Sequence, residues 1–162
     1  TPLPGEAPEA MVERLARAKA EAVARANPGR WVIASDTTVA VDHHALGKPE
    51  DAEDAVRMLG LIQGRRHEVH TALCLRRDDE VHSLVDTAEV YLHPVSEARA
   101  RWYVATGEPM DKAGAYAAQG IAALFIARID GSFPAVMGFP VERFSELIQR
   151  LGLEAGWMGM PR

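Results

Sequence analysis

The chain has 162 residues, 48% of them hydrophobic and 25% charged, with a net charge of −5. That size suits one domain over residues 1–162 with a core of its own, and the single cysteine, Cys74, excludes an intramolecular disulfide and any Cys-based metal motif. No apolar run reaches the length of a membrane span, no signal-like start is read, and Lys and Arg are scattered, so the expectation is a cytoplasmic protein with neither membrane nor nucleic acid as partner.

Residues 1–8, "TPLPGEAP", read as a loop or arm, and 9–26 as a helix that "NPG" (Asn27 to Gly29) stops. Its apolar stripe runs Val12, Leu15, Ala16, then Val23 and Ala26, with Lys19 in the middle. Two readings of Lys19 stand: a snorkelling stem with its ammonium in water, or a cation directed into a polar cleft. A strand over 31–35 follows, and 38–46 reads as a second, with a turn near Asp42-His43-His44. The interruption between them, Ser35-Asp36-Thr37-Thr38, places a carboxylate and hydroxyls between segments built to be dry. "GKP" (Gly47 to Pro49) leads into a helix over 50–63, with Pro49 suited to its first position and Gly64 closing it. Residues 67–76 and 80–92 form a hairpin around the charged turn "RRDDE". Ser96 caps a helix through Ala105, and "IAALFIARI" (121–129) predicts a strand buried on both faces. "DGSFPAVMGFP" is a loop, 141–151 an amphipathic helix, and 153–162 a tail with no assignable pattern. Helices alternating with a largely sequential sheet give an α/β class.

Six histidines invite a metal hypothesis, but His67 and His70 fall on opposite faces of a strand and no His-Glu-x-x-His helix exists. "DHH" at 42–44 matches the signature triplet of one phosphoesterase superfamily without its further aspartate motifs, and reads as a turn. No P-loop or Gly-x-Gly-x-x-Gly is present, and Cys74 in an apolar strand reads as core. What remains is Asp36, just past a buried strand where open α/β sheets put their ligands, with Lys48 held between Gly47 and Pro49. Asp36 suits a divalent ion or the deprotonation of a water, and the lysines suit phosphate oxygens. The alternative is a capped strand end with solvated lysines.

Four blocks occur in order: "ASDTTVAVD…LGKP", "A…ML…GRRHEVHTA", "EPMDKAGAYAAQG" and "IDGSFPAVMGFP". Together they resemble the Maf family of nucleoside triphosphate pyrophosphatases, over nearly the whole chain. The resemblance implies an elongated mixed β-sheet flanked by helices, with a cleft between two lobes, as in the inosine triphosphate pyrophosphatases. It implies hydrolysis of a nucleoside triphosphate to the monophosphate and pyrophosphate with a divalent cation, Mg²⁺ or Mn²⁺. Asp36 matches the family's proton acceptor and is the candidate metal ligand. Lys48 and Lys19 match phosphate-contacting lysines, which favours the cleft reading of Lys19. Thr37 and Gln119 match positions tied to base selection, in the form of the dTTP/UTP branch, and Lys112 of "DKAGAY" joins them as a substrate-binding residue. Thr37 and Gln119 can each donate and accept, which suits a uracil or thymine edge. The resemblance further implies a homodimer, an opening strand ending in Ser-x-Ser-Pro-Arg-Arg that would precede Thr1, and, as an alternative role, a nucleotide-binding regulator that inhibits septum formation through a cell-division protein.

Overall fold

A computed structural model of the chain describes residues 2–154 and 156. In chain order the elements are helix α1 (Pro8–Ala24), strands β1 (Val32–Val41) and β2 (His44–Leu46), helix α2 (Ala52–Ile62), strands β3 (Arg66–Arg77) and β4 (Glu80–Leu92), and helix α3 (Glu97–Val104). Short 3₁₀ turns at Glu108–Asp111, Ala113–Ala115 and Ile121–Phe125 lead to strand β5 (Ile126–Asp130) and helices α4 (Phe133–Val136) and α5 (Val141–Arg150). The strands form one sheet in the order β2-β1-β3-β4-β5, and each neighbouring pair runs antiparallel. The α/β class holds. The parallel pairing that a mixed sheet would contain is not found among the described strands.

Strand alternation sorts the side chains onto two faces. One face of β1 and β3 packs Val32, Ala72 and Cys74 against Met11, Val12, Ala16 and Ala20 of α1. The other divides its cover. Val39, Val69 and Val90 meet α2, α3 and the 3₁₀ region, while Leu73 and Leu75 meet Leu147 and Ile148 of α5. Among the described residues, no helix is long and apolar enough to cross a membrane.

The hairpin is as expected: Arg77 pairs with Glu80 around Asp78 and Asp79, and Asp78 takes the positive φ that a two-residue turn demands. Asp42 and His43 likewise adopt positive φ between β1 and β2, so "DHH" is a two-residue turn and the first residue of β2. His67 and His70 do fall on opposite faces, and Cys74 is core.

Other expectations need correction. Strand β1 does not break at the polar residues, because each of Val32 to Ala40 is paired with β3, and a ladder of backbone hydrogen bonds is indifferent to the side chains it carries. Asp36 therefore sits within a strand, not past its end. Helix α1 buries Ala20 and Ala24 where Val23 and Ala26 were expected; Val23 is 50% exposed. Helix α2 starts at Ala52, since the Asp51 carboxylate accepts the Asp54 N–H at 2.8 Å and caps it, leaving the buried Pro49 in the preceding loop. The run 121–129 is not one buried strand: its first half is a 3₁₀ turn, and β5 is largely exposed. The expected loop after it contains α4, capped by Ser132. Of the tail, Leu153 packs onto the α5 cluster, while Ala155 and residues 157–162, like Thr1, lie outside the described residues.

Candidate active site

A cleft of about 740 Å³ is lined by all six candidate residues: Lys19, Asp36, Thr37, Lys48, Lys112 and Gln119. It wraps the edge of β1. Strand β2 pairs only with Val39 to Val41, so residues 32–38 of β1 have a strand partner on one side only among the described residues. Neighbours on a strand point to opposite faces, and both Asp36 and Thr37 reach the cleft around this edge.

On the α1 face, the Lys19 ammonium donates to Asp36 Oδ1 at 2.5 Å and to the Ser35 carbonyl at 3.1 Å. Lys19 lies beside Ala16 and Ala20, which seat α1 against the sheet, so its stem is directed along the sheet to the carboxylate. The lysine side chain stays 56% exposed and Asp36 only 16%. The ion pair thus faces solvent from its cationic side. Lys19 engages Oδ1, which leaves Oδ2 to receive a water or an ion.

Lys48 and Lys112 enter from the rim. The Gly114 N–H donates to the Gly47 carbonyl at 3.0 Å, tying the "GKP" loop to "DKAGAY" and fixing where the Lys48 stem leaves the backbone. Gly114 has φ +67, and a Cβ there would lie 2.7 to 2.9 Å from the Val39 side chain, so the crossing is open only to glycine. The Lys112 ammonium pairs with Asp111 at 2.9 Å, and the Lys48 charge acts on the same carboxylate; with Lys112 as the larger influence, Asp111 is held below its ordinary pKa.

On the opposite face Thr37 meets Thr71 of β3, and Ser35 donates to the Gly138 carbonyl at 2.7 Å. Val39, Val69, Val136 and Met137 make this side of the cleft apolar. Gln119 stands in the turn before Ile121–Phe125.

Sequence reading missed the group that holds that turn, Glu108. Its carboxylate accepts N–H bonds from Ile121 at 2.9 Å and Ala122 at 3.3 Å, and the Tyr103 hydroxyl at 2.8 Å. Burial pushes the Glu108 pKa up, but these hydrogen bonds outweigh it and the net shift is downward. A Cβ on Gly120 would lie 2.4 to 2.5 Å from the carboxylate, so the glycine of "QG" makes room for the bond. The signal was in the quoted block "EPMDKAGAYAAQG", whose first and last residues are this pair. Thr71 was also missed, because an isolated threonine in an apolar strand looks like core.

Among the described residues, no group of three or more His, Cys, Asp or Glu side chains is placed to hold a metal. The cleft does contain the carboxylates of Asp36 and Asp111. One or two carboxylates completed by phosphate oxygens and waters is the donor set of a Mg²⁺ that arrives with its nucleotide, so the residues fit such an ion.

A family model described as "Maf-like protein" matches residues 1–151. The chain is 46% identical to a dTTP/UTP pyrophosphatase of Myxococcus xanthus over 157 residues, covering 97% of this chain and 80% of the relative. It is 49% identical to one from Desulfotalea psychrophila, covering 91% and 75%, and 45% identical to one from Thermus thermophilus, covering 93% and 77%. With that extent of match, and with the conjunction of the ordered blocks around one cleft, the chain belongs to the Maf family.

Proposed function

We propose that the chain is a nucleoside triphosphate pyrophosphatase that hydrolyses dTTP and UTP to the monophosphate and pyrophosphate. The single observation behind this is the cleft in which Asp36 shares a cavity with Lys19, Lys48 and Lys112, three cations against the two carboxylates of Asp36 and Asp111. A protein of net charge −5 needs local cations to hold a polyanion, and these supply them. The curated relatives named dTTP/UTP pyrophosphatase support both the reaction and the bases. The alternative role in septum formation is not favoured, since those names describe catalysis.

In this reading a water oxygen attacks the α-phosphorus in line with the oxygen that bridges to the β-phosphorus. Asp36 Oδ2 takes the water's proton as the new P–O bond forms. The bridging bond then breaks, its electron pair leaves with pyrophosphate, and Lys48 and Lys112 meet the charge that develops there. Lys19 orients Asp36 through Oδ1 and contacts a phosphate from its exposed side. In the alternative role of this carboxylate, Oδ2 would hold a divalent ion instead of taking the proton, and that ion would supply charge neutralisation to the phosphate oxygens.

The test is pyrophosphate release from a panel of nucleoside triphosphates with Mg²⁺. Asp36→Asn keeps the shape of the residue and removes its basicity, and turnover should fall by roughly 10²–10⁴. Undiminished turnover in that variant would remove Asp36 from its assigned role.

A further inference from the structure

Thr37 and Thr71 face each other across the β1–β3 register, and their hydroxyl oxygens are 2.9 Å apart. Each hydroxyl has a single hydrogen to give. Thr71 is fully buried, and its oxygen lies 2.7 Å from the Ala135 carbonyl oxygen at the end of α4. A carbonyl can only accept, so this contact takes the Thr71 hydrogen. The Ala135 carbonyl also accepts the Gly138 N–H at 2.9 Å, which fixes its position. With the Thr71 hydrogen spent, the hydrogen between the two threonines must come from Thr37. Thr37 therefore turns only lone pairs to the cleft, and a hydroxyl that is ambivalent in isolation becomes an acceptor.

We infer that Thr71 is a positioning residue that fixes the polarity of Thr37, so that this side of the cleft selects a nucleobase presenting an N–H and rejects one presenting a lone pair there. The inference rests on the nucleotide reading above and deepens it. Uracil and thymine offer the N3–H of an imide; cytosine offers an unprotonated N3 and meets Thr37 lone pair to lone pair. The same polarity directs the phosphates elsewhere, since an oxygen without a hydrogen to donate repels phosphate oxygens. They are left to the lysines, while the base lies among Val39, Val69, Val136 and Met137. Gln119, in the same cleft, has amide N–H groups for a carbonyl flanking the imide. The short α4 thereby acquires a task. It brings the Ala135 carbonyl down onto Thr71 and so sets a hydrogen-bond direction two residues away from the ligand.

The experiment compares kcat/KM for UTP and CTP in the full-length protein, Thr71→Val and Thr71→Ser. Valine keeps the volume but neither accepts from Thr37 nor donates to Ala135, which frees the Thr37 hydrogen to turn toward the cleft. The UTP preference should drop at least about tenfold in Thr71→Val and stay within about threefold of the unaltered protein in Thr71→Ser, because a site built around a polar contact discriminates through the unpaired group it leaves behind. A Thr71→Val protein that turns over UTP with the original UTP:CTP ratio overturns the inference and leaves the pyrophosphatase reading intact. Should Thr71→Val not fold, 3-methyl-UTP serves with the unaltered protein: it lacks the N–H and should react at least about a hundredfold less efficiently than UTP, and equal efficiency overturns the inference. If the unaltered protein hydrolyses no nucleotide, the underlying reading fails and this one with it.

Discussion

Asp36 and Lys19 form an ion pair, and in the proposed mechanism the main effect of Lys19 is exerted through Asp36. The ammonium holds Oδ1 at 2.5 Å, so the direction of the other oxygen is set by the helix that carries the lysine. Groups that act as a unit lose their function when either is removed, and the second removal adds little. Lys19→Gln should therefore cut kcat/KM for UTP by about a hundredfold, in the range for loss of one charge-stabilising donor. The double variant Lys19→Gln, Asp36→Asn should be no more than about threefold worse than Asp36→Asn alone. Steady-state kinetics on the three variants measures this, and losses that simply multiply would show that Lys19 serves the phosphates without orienting Asp36. Both residues could be picked out in the sequence, as a cation on an apolar stripe and a carboxylate in an apolar run. Thr71 could not. A threonine between Val69 and Leu73 is indistinguishable from strand filling until the Ala135 carbonyl, 64 residues later, is seen to reach it.

At the level of the element, what the sequence reveals depends on whether the stabilising contacts are local. The β3–β4 hairpin is set by two strand-like runs and the charged turn between them, both visible in the chain, and its second strand matches the expected 80–92. "IAALFIARI" has the apolar content of a strand, yet its first residues wind into a 3₁₀ turn because Glu108 takes the N–H groups of Ile121 and Ala122. That choice is made by a carboxylate 13 residues away, which no window of propensity registers. The same contact explains why glycine precedes the turn, and it can be tested as a thermodynamic cycle. Glu108→Ala should destabilise by about 2 kcal/mol, the scale of hydrogen bonds to a charged group. Gly120→Ala forces a methyl onto the carboxylate and should cost at least about 1 kcal/mol in the unaltered protein, but only a few tenths in the Glu108→Ala background, where the obstacle is gone. Urea denaturation of the four proteins measures the coupling. Additive losses would mean that the glycine is needed for some reason other than the approach of Glu108.

Across the whole molecule, the side of the sheet that carries Thr37 also carries the largest acid liability of the core. His67 lies on the Thr71 face of β3, its Nε2 is 2.7 Å from the Tyr116 hydroxyl, and Nδ1 has no partner among the described residues. Burial, with a smaller contribution from the Arg65 charge, lowers its pKa to about 4. The partner Tyr116, also buried, has its pKa raised and stays a neutral phenol. His70, on the α1 face, is lowered by burial as well, against the opposing pull of Glu9 and Glu68. A depressed histidine is neutral in the folded chain while the unfolded chain takes up a proton near pH 6.5. The unfolded state is therefore the one that gains as pH falls, and the contribution is complete above pH 6.5 and lost progressively down to about pH 4. For His67 the full loss is roughly 3 kcal/mol, a large part of the stability of a domain this size. His67→Gln keeps a hydrogen-bonding side chain beside Tyr116 and removes the titration. Between pH 7 and 4 its unfolding free energy should fall by roughly 3 kcal/mol less than that of the unaltered protein, with a residual slope from His70. Urea midpoints at half-unit pH intervals give the comparison. Parallel curves for the two proteins would place the acid sensitivity elsewhere; converging curves would show that one buried imidazole, hydrogen-bonded to the cleft-lining Tyr116, couples the stability of the fold to pH.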